Sequence, residues 1–363
     1  MNIILEKYAN LLVKYCLRIK PGQRVLVRTT TEAEPLLKYI YQELLKAGAY
    51  TEFQIQFSEM EWSLATYGAS DQKERPSELY QLAVETFDAI LTIQAPLNTK
   101  ELSSIPANKK IAHSETLAKI KQTFMIRSGN GELRWTLCTY PTAAAAQEMG
   151  LSLSDYETFF MKACFLDKSD PTAEWKTLSK NQESITQKLN SVSHMQFKGP
   201  NIDLSFSVEG RRWINSDGQR NMPSGEIFSS PIENSVNGYI RFDYPIVYLG
   251  QEIHNIDLTV KEGIIEKWDA EKGRGILDEL FKIPGSRQFG EVAIGTNYRI
   301  STGTKNILFD EKIGGTIHMA VGASYPETGG QNQSSVHLDF IAGMREGQII
   351  ADGKVIYEKG YFL

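Results

Sequence analysis

The sequence Arg24-Val25-Leu26-Val27 is a short apolar run that predicts a buried β-strand, and a helix and a second strand follow it. The helix is predicted from apolar residues at helical spacing, with Gly48 as its left-handed cap. Its apolar face consists of Leu36, Leu37, Ile40, Tyr41, Leu44 and Leu45. The second strand is predicted from the alternation of Phe53, Ile55 and Phe57. This order of elements predicts a parallel βαβ unit.

Strand and helix signals keep alternating through the first half of the chain. Further strands are predicted at residues 89–93, 110–112 and 134–138. Helices are predicted around Leu5, Tyr8, Leu12 and Tyr15 and at residues 143–149, 154–165 and 172–189. The turn at residues 28–32 contains no glycine, so the phosphate-binding loop of a dinucleotide fold is absent. We therefore predict an α/β N-terminal domain with a Rossmann-like parallel sheet and no nucleotide loop.

The second half has a different pattern, with short strands and tight turns. Residues 202–206 alternate between apolar and polar side chains, and strands are also predicted at 238–242, 256–260 and 264–268. Helical signal is weak beyond residues 275–282, so we predict a mostly β (α+β) C-terminal domain. The pattern changes between residues 191 and 198, which gives predicted domains of 1–192 and 193–363.

Composition and charge limit the class of protein. The chain has 363 residues, of which 41% are hydrophobic and 23% are charged, as expected for a globular protein of two domains. Its net charge of -5 and lack of a long basic run argue against nucleic acid as a partner. Early charged residues argue against a signal peptide, and no apolar stretch looks long enough for a membrane span, so we predict a cytoplasmic protein. The cysteines Cys16, Cys138 and Cys164 lack C-x-x-C spacing and are expected to be buried.

The second half also contains an unusual set of acidic residues and histidines. Glu226 and Glu291 each follow a glycine, and Glu311, His318 and the pair His337-x-Asp339 come later. Carboxylate oxygens mixed with imidazole nitrogens suit divalent ions such as Zn, Mn or Co. More carboxylates than one ion needs indicate two ions that share a bridging ligand. This set predicts a two-metal hydrolase.

The spacing of His337 and Asp339 gives the clearest local geometry. Residues two apart in a strand point to the same face, so these two share one face and Val336, Leu338 and Phe340 point to the other. A strand with one apolar face and one pair of metal ligands explains this spacing. An ordinary surface strand with two polar residues explains it equally well.

The other acidic and aromatic residues also allow two interpretations. Glu226 and Glu291 precede apolar residues, which indicates carboxylates at the edge of buried structure that need a cationic partner, but each is also typical of a solvated turn. Glu311 is typical of an exposed acidic turn, and His318 of a hydrogen-bonded core histidine. Tyr325 is either a packing residue or a phenol that donates to a developing oxyanion beside a metal site.

Several ordered motifs resemble a family of metallopeptidases. They are Asn221-Met222-Pro223-Ser224-Gly225-Glu226-Ile227-Phe228, Gly290-Glu291-Val292-Ala293, Phe309-Asp310-Glu311-Lys312-Ile313-Gly314-Gly315-Thr316-Ile317-His318, Ser324-Tyr325-Pro326-Glu327 and Asn332-Gln333-Ser334-Ser335-Val336-His337-Leu338-Asp339. Together they resemble the metalloaminopeptidases typified by aminopeptidase T, aminopeptidase S and PepS. A weaker resemblance at residues 134–142 and 147–150 extends the match over most of the chain.

The resemblance implies an α/β N-terminal half and a C-terminal catalytic half that carries two divalent ions (Zn, Co, Mn or Mg), assembled as a homodimer. It implies that the metal ligands are Glu226, Glu291, Glu311, His318, His337 and Asp339. It also implies Tyr325 as the active-site tyrosine, and we expect Glu291 to bridge the ions and to relay a proton. The expected activity is release of single N-terminal residues from peptides with a free N-terminus.

Two alternative functions stay open. The metal ligands do not determine which bond is hydrolysed. One alternative is therefore a two-metal hydrolase of a different ester or of a phosphoester. A phosphoesterase would need basic residues near the metals, and the motifs offer only Lys312 and Arg220. The other alternative is a metal-stabilised, non-catalytic binding protein. In that protein the same residues would hold the fold, and loss of metal would unfold the chain.

Overall fold

The computed structural model describes residues 2–105 and 118–363. The chain forms two compact units. The first runs to Glu174 and includes Gly218–Pro223, and the second consists of Trp175–Asp217 and Ser224–Leu363. Within the described residues, every helix is too short or too polar to cross a membrane.

The second compact unit begins before the predicted domain boundary between residues 192 and 193. The helix Pro171–Leu189 starts in the first unit and continues into the second. Its buried Gln182 donates hydrogen bonds to Oδ1 of Asn215 and to the backbone carbonyl of Glu226, each at 2.8 Å. These bonds join the later part of the helix to the second unit. The domains 1–192 and 193–363 stay a prediction about domain organisation.

A parallel sheet forms the centre of the first unit. Its strands lie in the order Tyr50–Gln56, Arg24–Thr30, Ala89–Gln94, Arg134–Thr139 and Asn221–Met222. Val25 pairs in parallel with Thr51 on one side and with Ala89 on the other. The helices described in this unit are Asn2–Asn10 with the π-helical Leu11–Cys16, Glu34–Lys46, Met60–Tyr67, Ser70–Glu74, Glu78–Thr86, Ala118–Gly129, Ala143–Glu148 and Leu153–Ala163. The predicted α/β class is confirmed, and the predicted strand at 110–112 lies outside the described residues.

The helix Glu34–Lys46 shows where the apolar pattern predicts burial and where it does not. Gly48 has a φ of 74°, as predicted for a left-handed cap. Tyr41 and Leu45 are 45% and 54% exposed, so their predicted place on a buried face is wrong. The ring of Tyr41 packs edge-on against Phe53 of the edge strand, with centroids 5.7 Å apart. That strand is at the edge of the sheet, and only part of the predicted apolar face is buried. The three cysteines are buried, as predicted.

Antiparallel strands dominate the second unit, and the predicted mostly β (α+β) class is confirmed. The larger sheet has the order Ile246–Tyr248, Gln251–Lys261, Asn237–Phe242, Ile202–Ser207, His194–Gly199, Gln348–Ala351, Lys354–Glu358 and Tyr361–Phe362, with Ile264–Lys272 also paired to Gln251–Lys261. The five-stranded sheet has the order His337–Gly343, Thr316–Gly322, Phe289–Gly295, Glu226–Ser229 and Ile214–Ser216. Short helices occur at Arg274–Leu280, Ile307–Asp310 and, as a 3-10 turn, Pro326–Thr328.

The hydrophobic core of the second unit lies between these two sheets. Phe242 of the larger sheet packs against Phe340 and Phe289 of the five-stranded sheet, with ring centroids 5.5 and 6.4 Å apart. Val292 and Ile294 alternate along the same strand as Phe289 and belong to the same core. One face of the five-stranded sheet is therefore apolar. Because side chains alternate along a strand, the other face is available for polar residues.

A β-bulge at Gly290 decides which face its neighbours occupy. Phe289 pairs opposite Val321, and Glu291 pairs opposite Ala320, so Gly290 is an extra residue in the strand. Without the bulge, Phe289 and Glu291 are two positions apart and would point to the same face. With the bulge, Phe289 enters the core and Glu291 points to the opposite face.

Replacing this glycine should destabilise the second unit. In Gly290→Ala, the added Cβ would lie 2.4 Å from the carbonyl oxygens of both Gly322 and Ala323. Backbone atoms cannot move aside as a flexible side chain can, so we expect the free energy of unfolding to fall by about 1–3 kcal/mol, the usual cost of overpacking. Urea denaturation followed by circular dichroism measures this change.

Gly275→Ala is the matched control for this substitution. The residue is in the helix Arg274–Leu280, and apart from its chain neighbours and the backbone of that helix, no described heavy atom lies within 4 Å of the added Cβ. Its stability should be unchanged or slightly higher, because alanine restricts the unfolded chain more than glycine does. Equal stabilities for the two variants would contradict the tight packing at the bulge.

Candidate metal centre

Most of the predicted ligands lie on the face of the five-stranded sheet that points away from the core. The cross-strand pairs on this face are Glu226 with Gly295, His318 with Ala293, Glu291 and Asp339 with Ala320, and His337 with Gly322. Directly opposite residues of antiparallel strands point to the same face, so the acids and imidazoles converge. Their partners are alanines and glycines, which leave space between the longer side chains.

The remaining predicted ligand, Glu311, follows the short helix Ile307–Asp310. Asp310 fixes this loop by accepting hydrogen bonds from the N–H and hydroxyl of Thr304, at 2.7 and 2.8 Å, and from the N–H of Lys305, at 2.8 Å. Burial raises the pKa of Asp310 to about 6, although these hydrogen bonds oppose the rise. The side chain of Glu311 is only 13% exposed, so it does not form an open acidic turn.

The predicted ligands form two groups of three side chains. In the first group, Glu226, Glu311 and His318 each offer one ligand atom, and these atoms lie within 4.8 Å of one another. The second group, which meets the same distance limit, consists of Glu291, His337 and Asp339. Each group therefore combines two carboxylates with one imidazole.

Glu291 lies between the two groups. Its Oε1 is 3.3 Å from Nε2 of His318, and its Oε2 is 3.2 Å from Nε2 of His337. One carboxylate oxygen therefore faces the imidazole of each group. A carboxylate with its oxygens divided in this way could bridge two divalent ions.

The acids and imidazoles shift each other's pKa. Burial alone would raise the pKa of Glu291, but hydrogen bonds with His318 and His337 outweigh burial and lower it to about 2. Burial would lower the pKa of both histidines. Glu291, Glu226 and Asp339 outweigh burial at His318 and raise its pKa to about 9, and Asp339 and Glu291 raise the pKa of His337 to about 10. A divalent ion would compete with these protons, because only neutral imidazole binds a metal.

Lys312, which the motifs include as a basic residue, makes contacts in the centre that the sequence did not indicate. Its side chain is 1% exposed, its Nζ is 2.6 Å from Oε1 of Glu226, and it also contacts Oε1 of Glu311. Burial would lower the pKa of Lys312, but the two carboxylates outweigh burial and raise it. Burial raises the pKa of Glu311 to about 8, with Lys312 opposing the rise and Glu226 adding to it. A lysine beside a glutamate in sequence is common, so only the fold reveals this contact.

The donor atoms fit divalent cations. Across residues 2–105 and 118–363, neither Oε2 of Glu226 nor Oδ1 of Asp339 has a hydrogen-bond partner, although both atoms are buried. A buried carboxylate oxygen without a partner is costly, and a metal ion would offset that cost. Nδ1–H of His337 donates to the carbonyl of Ala323 at 2.7 Å, which fixes the ring and leaves Nε2 as the ligand atom.

Tyr325 lies beside the second group. It precedes the 3-10 turn Pro326–Thr328, and its ring centroid is 4.9 Å from that of His337 and 5.6 Å from that of Phe228. Burial and the negative charge of Glu291 raise the pKa of Tyr325 well above its ordinary value. The phenol therefore stays protonated and can donate a hydrogen bond.

Comparison with known sequences defines the class of protein. The family model described as thermophilic metalloprotease (M29) matches residues 1–362. The chain therefore belongs to the thermophilic metalloprotease family M29. The resemblance stated from the motifs is confirmed, and so is the enzyme class that it implies, a metalloaminopeptidase.

Individual relatives match over nearly the whole chain. Aminopeptidase 2 of Geobacillus stearothermophilus is 29% identical, and the match covers 96% of this chain and 95% of that protein. Aminopeptidase T of Thermus thermophilus is 26% identical, over 98% of this chain and 95% of its own. The solved structure of wild-type AmpT from Thermus thermophilus has a TM-score of 0.87 at 23% identity and covers 99% of both chains, which establishes a shared fold.

Proposed function

We propose that the protein is an aminopeptidase that uses two divalent ions to release single N-terminal residues from peptides. Its family is a metalloprotease family, and the relatives described above are named aminopeptidases. The observation that supports two ions is the position of Glu291, whose two oxygens face His318 and His337 in separate ligand groups. The proposed metal ligands are Glu226, Glu291, Glu311, His318, His337 and Asp339.

The proposed chemistry divides between the ions and the chain. When bound, zinc, cobalt, manganese or magnesium would supply an activated water molecule and polarise the first peptide carbonyl. Glu291, the carboxylate between the two groups, is proposed to carry a proton from the water to the leaving amine. Tyr325 is proposed to donate its phenolic hydrogen to the negative charge that develops on the carbonyl oxygen.

The proposed centre suits a substrate with a free N-terminus. Two divalent ions would offset the charge of the four carboxylates, which come from Glu226, Glu291, Glu311 and Asp339. A neutral α-amine has a lone pair that such an ion would accept, and an acetylated nitrogen does not offer one. The proposed substrates are therefore peptides with a free N-terminus. Nucleic acid is not a proposed partner, because the net charge of -5 would repel a phosphate backbone.

Two further proposals rest on the sequence. The three cysteines are odd in number and widely spaced, which is not the pattern of a disulfide framework and supports a cytoplasmic location. The motif resemblance to the metalloaminopeptidases supports a homodimer. Neither proposal alters the assignment of the metal centre.

A phosphoesterase is less well supported by the centre. Phosphoryl transfer usually places basic side chains beside the metal ions to hold the phosphate. Lys312 lies in the centre, but its ammonium contacts Glu226 and Glu311, so these carboxylates already neutralise it. The favoured scissile bond is therefore the peptide bond.

Hydrolysis of aminoacyl p-nitroanilides tests the proposed activity. We expect turnover that disappears on chelation, returns when Co, Zn, Mn or Mg is restored singly, and is absent with N-acetylated substrates. Circular dichroism in parallel separates catalysis from stability, because a catalytic centre should lose turnover before the chain unfolds. No turnover with any metal would favour the phosphoesterase, and unfolding on chelation would favour a metal-stabilised binding protein.

Glu226→Ala and His337→Ala test the two ligand groups separately. We expect each variant to lose measurable turnover and to retain about one ion in place of two, because each removes a ligand from a different group. Metal analysis, turnover and circular dichroism measure these effects. His194→Ala is the matched control, since His194 is exposed on a strand of the larger sheet. Full turnover in either ligand variant would disprove this ligand set.

Tyr325→Phe tests the proposed hydrogen-bond donor. Phenylalanine keeps the ring contacts with His337 and Phe228, so metal content and stability should not change. We expect kcat to fall by about 10²–10³-fold, the usual effect of removing one oxyanion donor. Tyr239→Phe, at a 50% exposed tyrosine of the larger sheet, serves as control. An unchanged kcat in Tyr325→Phe would assign the residue to packing.

A further inference from the structure

The ammonium of Lys312 contacts one oxygen of each of two carboxylates in the first group. Its Nζ lies 2.6 Å from Oε1 of Glu226, and the other oxygen of that residue, Oε2, lies 3.3 Å from Nε2 of His318. Among the described residues, Oε2 has no hydrogen-bond partner. One oxygen of Glu226 is thus held by the ammonium, and the other faces the ligand group.

Glu311 meets the same ammonium. Its Oε1 contacts Nζ of Lys312, while the residue belongs to the ligand group that contains Glu226 and His318. The lysine side chain is 1% exposed, so water cannot easily take its place. Charge-assisted hydrogen bonds between ammonium and carboxylate are short and about twice as strong as neutral ones. Both acids of the first group therefore have one oxygen occupied by the protein itself.

We propose that Lys312 is a positioning residue that limits Glu226 and Glu311 to one oxygen each toward the ion of the first group. This inference rests on the proposed function, because it takes that group as a metal site. Two carboxylates that each gave both oxygens would fill four positions around the ion. With one oxygen from each, a coordination position stays open for water or substrate, which a catalytic metal site requires.

The second group shows that this restraint is specific to the first. It has the same donor types, with Glu291, His337 and Asp339. Within the described parts of the chain, the cationic side chains that contact its acids are His318 and His337, which are themselves proposed ligands. Lys312 is different, because a charged ammonium has no lone pair and cannot bind the ion.

Cobalt spectroscopy of Lys312→Met tests the proposal. Methionine is uncharged and of similar length, so it frees one oxygen of each acid without opening a large cavity. Six-coordinate Co(II) absorbs visible light much more weakly than four- or five-coordinate Co(II). With two equivalents of Co(II) bound, we expect weaker visible absorption in Lys312→Met than in the unmodified protein. We also expect kcat to fall by about 10–100-fold, as when the partner of a metal ligand is lost.

Lys272→Met is the matched control. Lys272 also has its Nζ 2.6 Å from a glutamate oxygen, but that glutamate is Glu252, which is in neither ligand group. Its cobalt spectrum and kcat should match those of the unmodified protein. An unchanged cobalt spectrum in Lys312→Met, with two ions bound, would overturn the proposal and leave the metal centre intact. Failure of the unmodified protein to bind cobalt would overturn the proposed centre itself, and this inference with it.

A crystal structure of the zinc-loaded, unmodified protein gives a second test that does not depend on the folding of a variant. We expect Glu226 and Glu311 each to contact the ion through one oxygen, with Nζ of Lys312 on the other. Bidentate binding by either acid, or displacement of the ammonium by the ion, would overturn the proposal.

Discussion

The arrangement of the second unit depends on holding four carboxylates together at one largely buried face. Glu226, Glu291 and Asp339 are buried, and Glu311 is mostly so. Like charges in a medium of low dielectric constant repel strongly, and a buried ionised carboxylate is stable only with a cationic partner. The chain supplies three such partners in Lys312, His318 and His337. Four acidic side chains thus face three basic ones, two of which are cationic only when protonated. The centre is therefore built to attract further cations.

The same strands must also supply part of the hydrophobic core. Alternation solves most of this problem, because His318 points to the centre while Ile317 and Met319 enter the core. It fails at one point, since Phe289 belongs in the core and Glu291, two residues later, belongs in the centre. The extra residue Gly290 shifts the alternation of side chains by one position, so that Phe289 and Glu291 point to opposite faces. A bulge is one of the few local features that moves a side chain to the other face without changing the strand order.

The sequence predicts these features unequally, for physical reasons. Period-two alternation is a local property, and the structure places His337 and Asp339 on one face as the spacing indicates. The positions of Glu226 and Glu291 were inferred from motifs, because a Gly-Glu pair has no periodic signal. The motifs contain Lys312 but do not show its role, because its partner Glu226 is 86 positions away in the chain.

The local sequence pattern also does not predict features that depend on tertiary contacts. The bulge at Gly290 has no local signature, because it is defined by register with the neighbouring strand. Tyr41 and Leu45 match an apolar helical stripe, yet both are exposed, because the local pattern does not say which part of the stripe other elements will cover. The connection between the strands Thr316–Gly322 and His337–Gly343 has no periodic signal either. Its course depends on long-range hydrogen bonds, which the local sequence does not specify.

Those hydrogen bonds hold the connection that carries Tyr325. The N–H of Ala323 donates to the carbonyl of Val336 at 2.7 Å, and the N–H of Ser324 donates to the carbonyl of Asn332 at 2.9 Å. These bonds pair the start of the connection with its end. The carbonyl of Ala323 in turn accepts the hydrogen bond from Nδ1 of His337, so the tyrosine and the imidazole are fixed by the same few backbone groups. A change in the register of this connection would therefore move both side chains together. This links Tyr325, the proposed hydrogen-bond donor, to His337, the proposed metal ligand, more directly than their separation in sequence indicates.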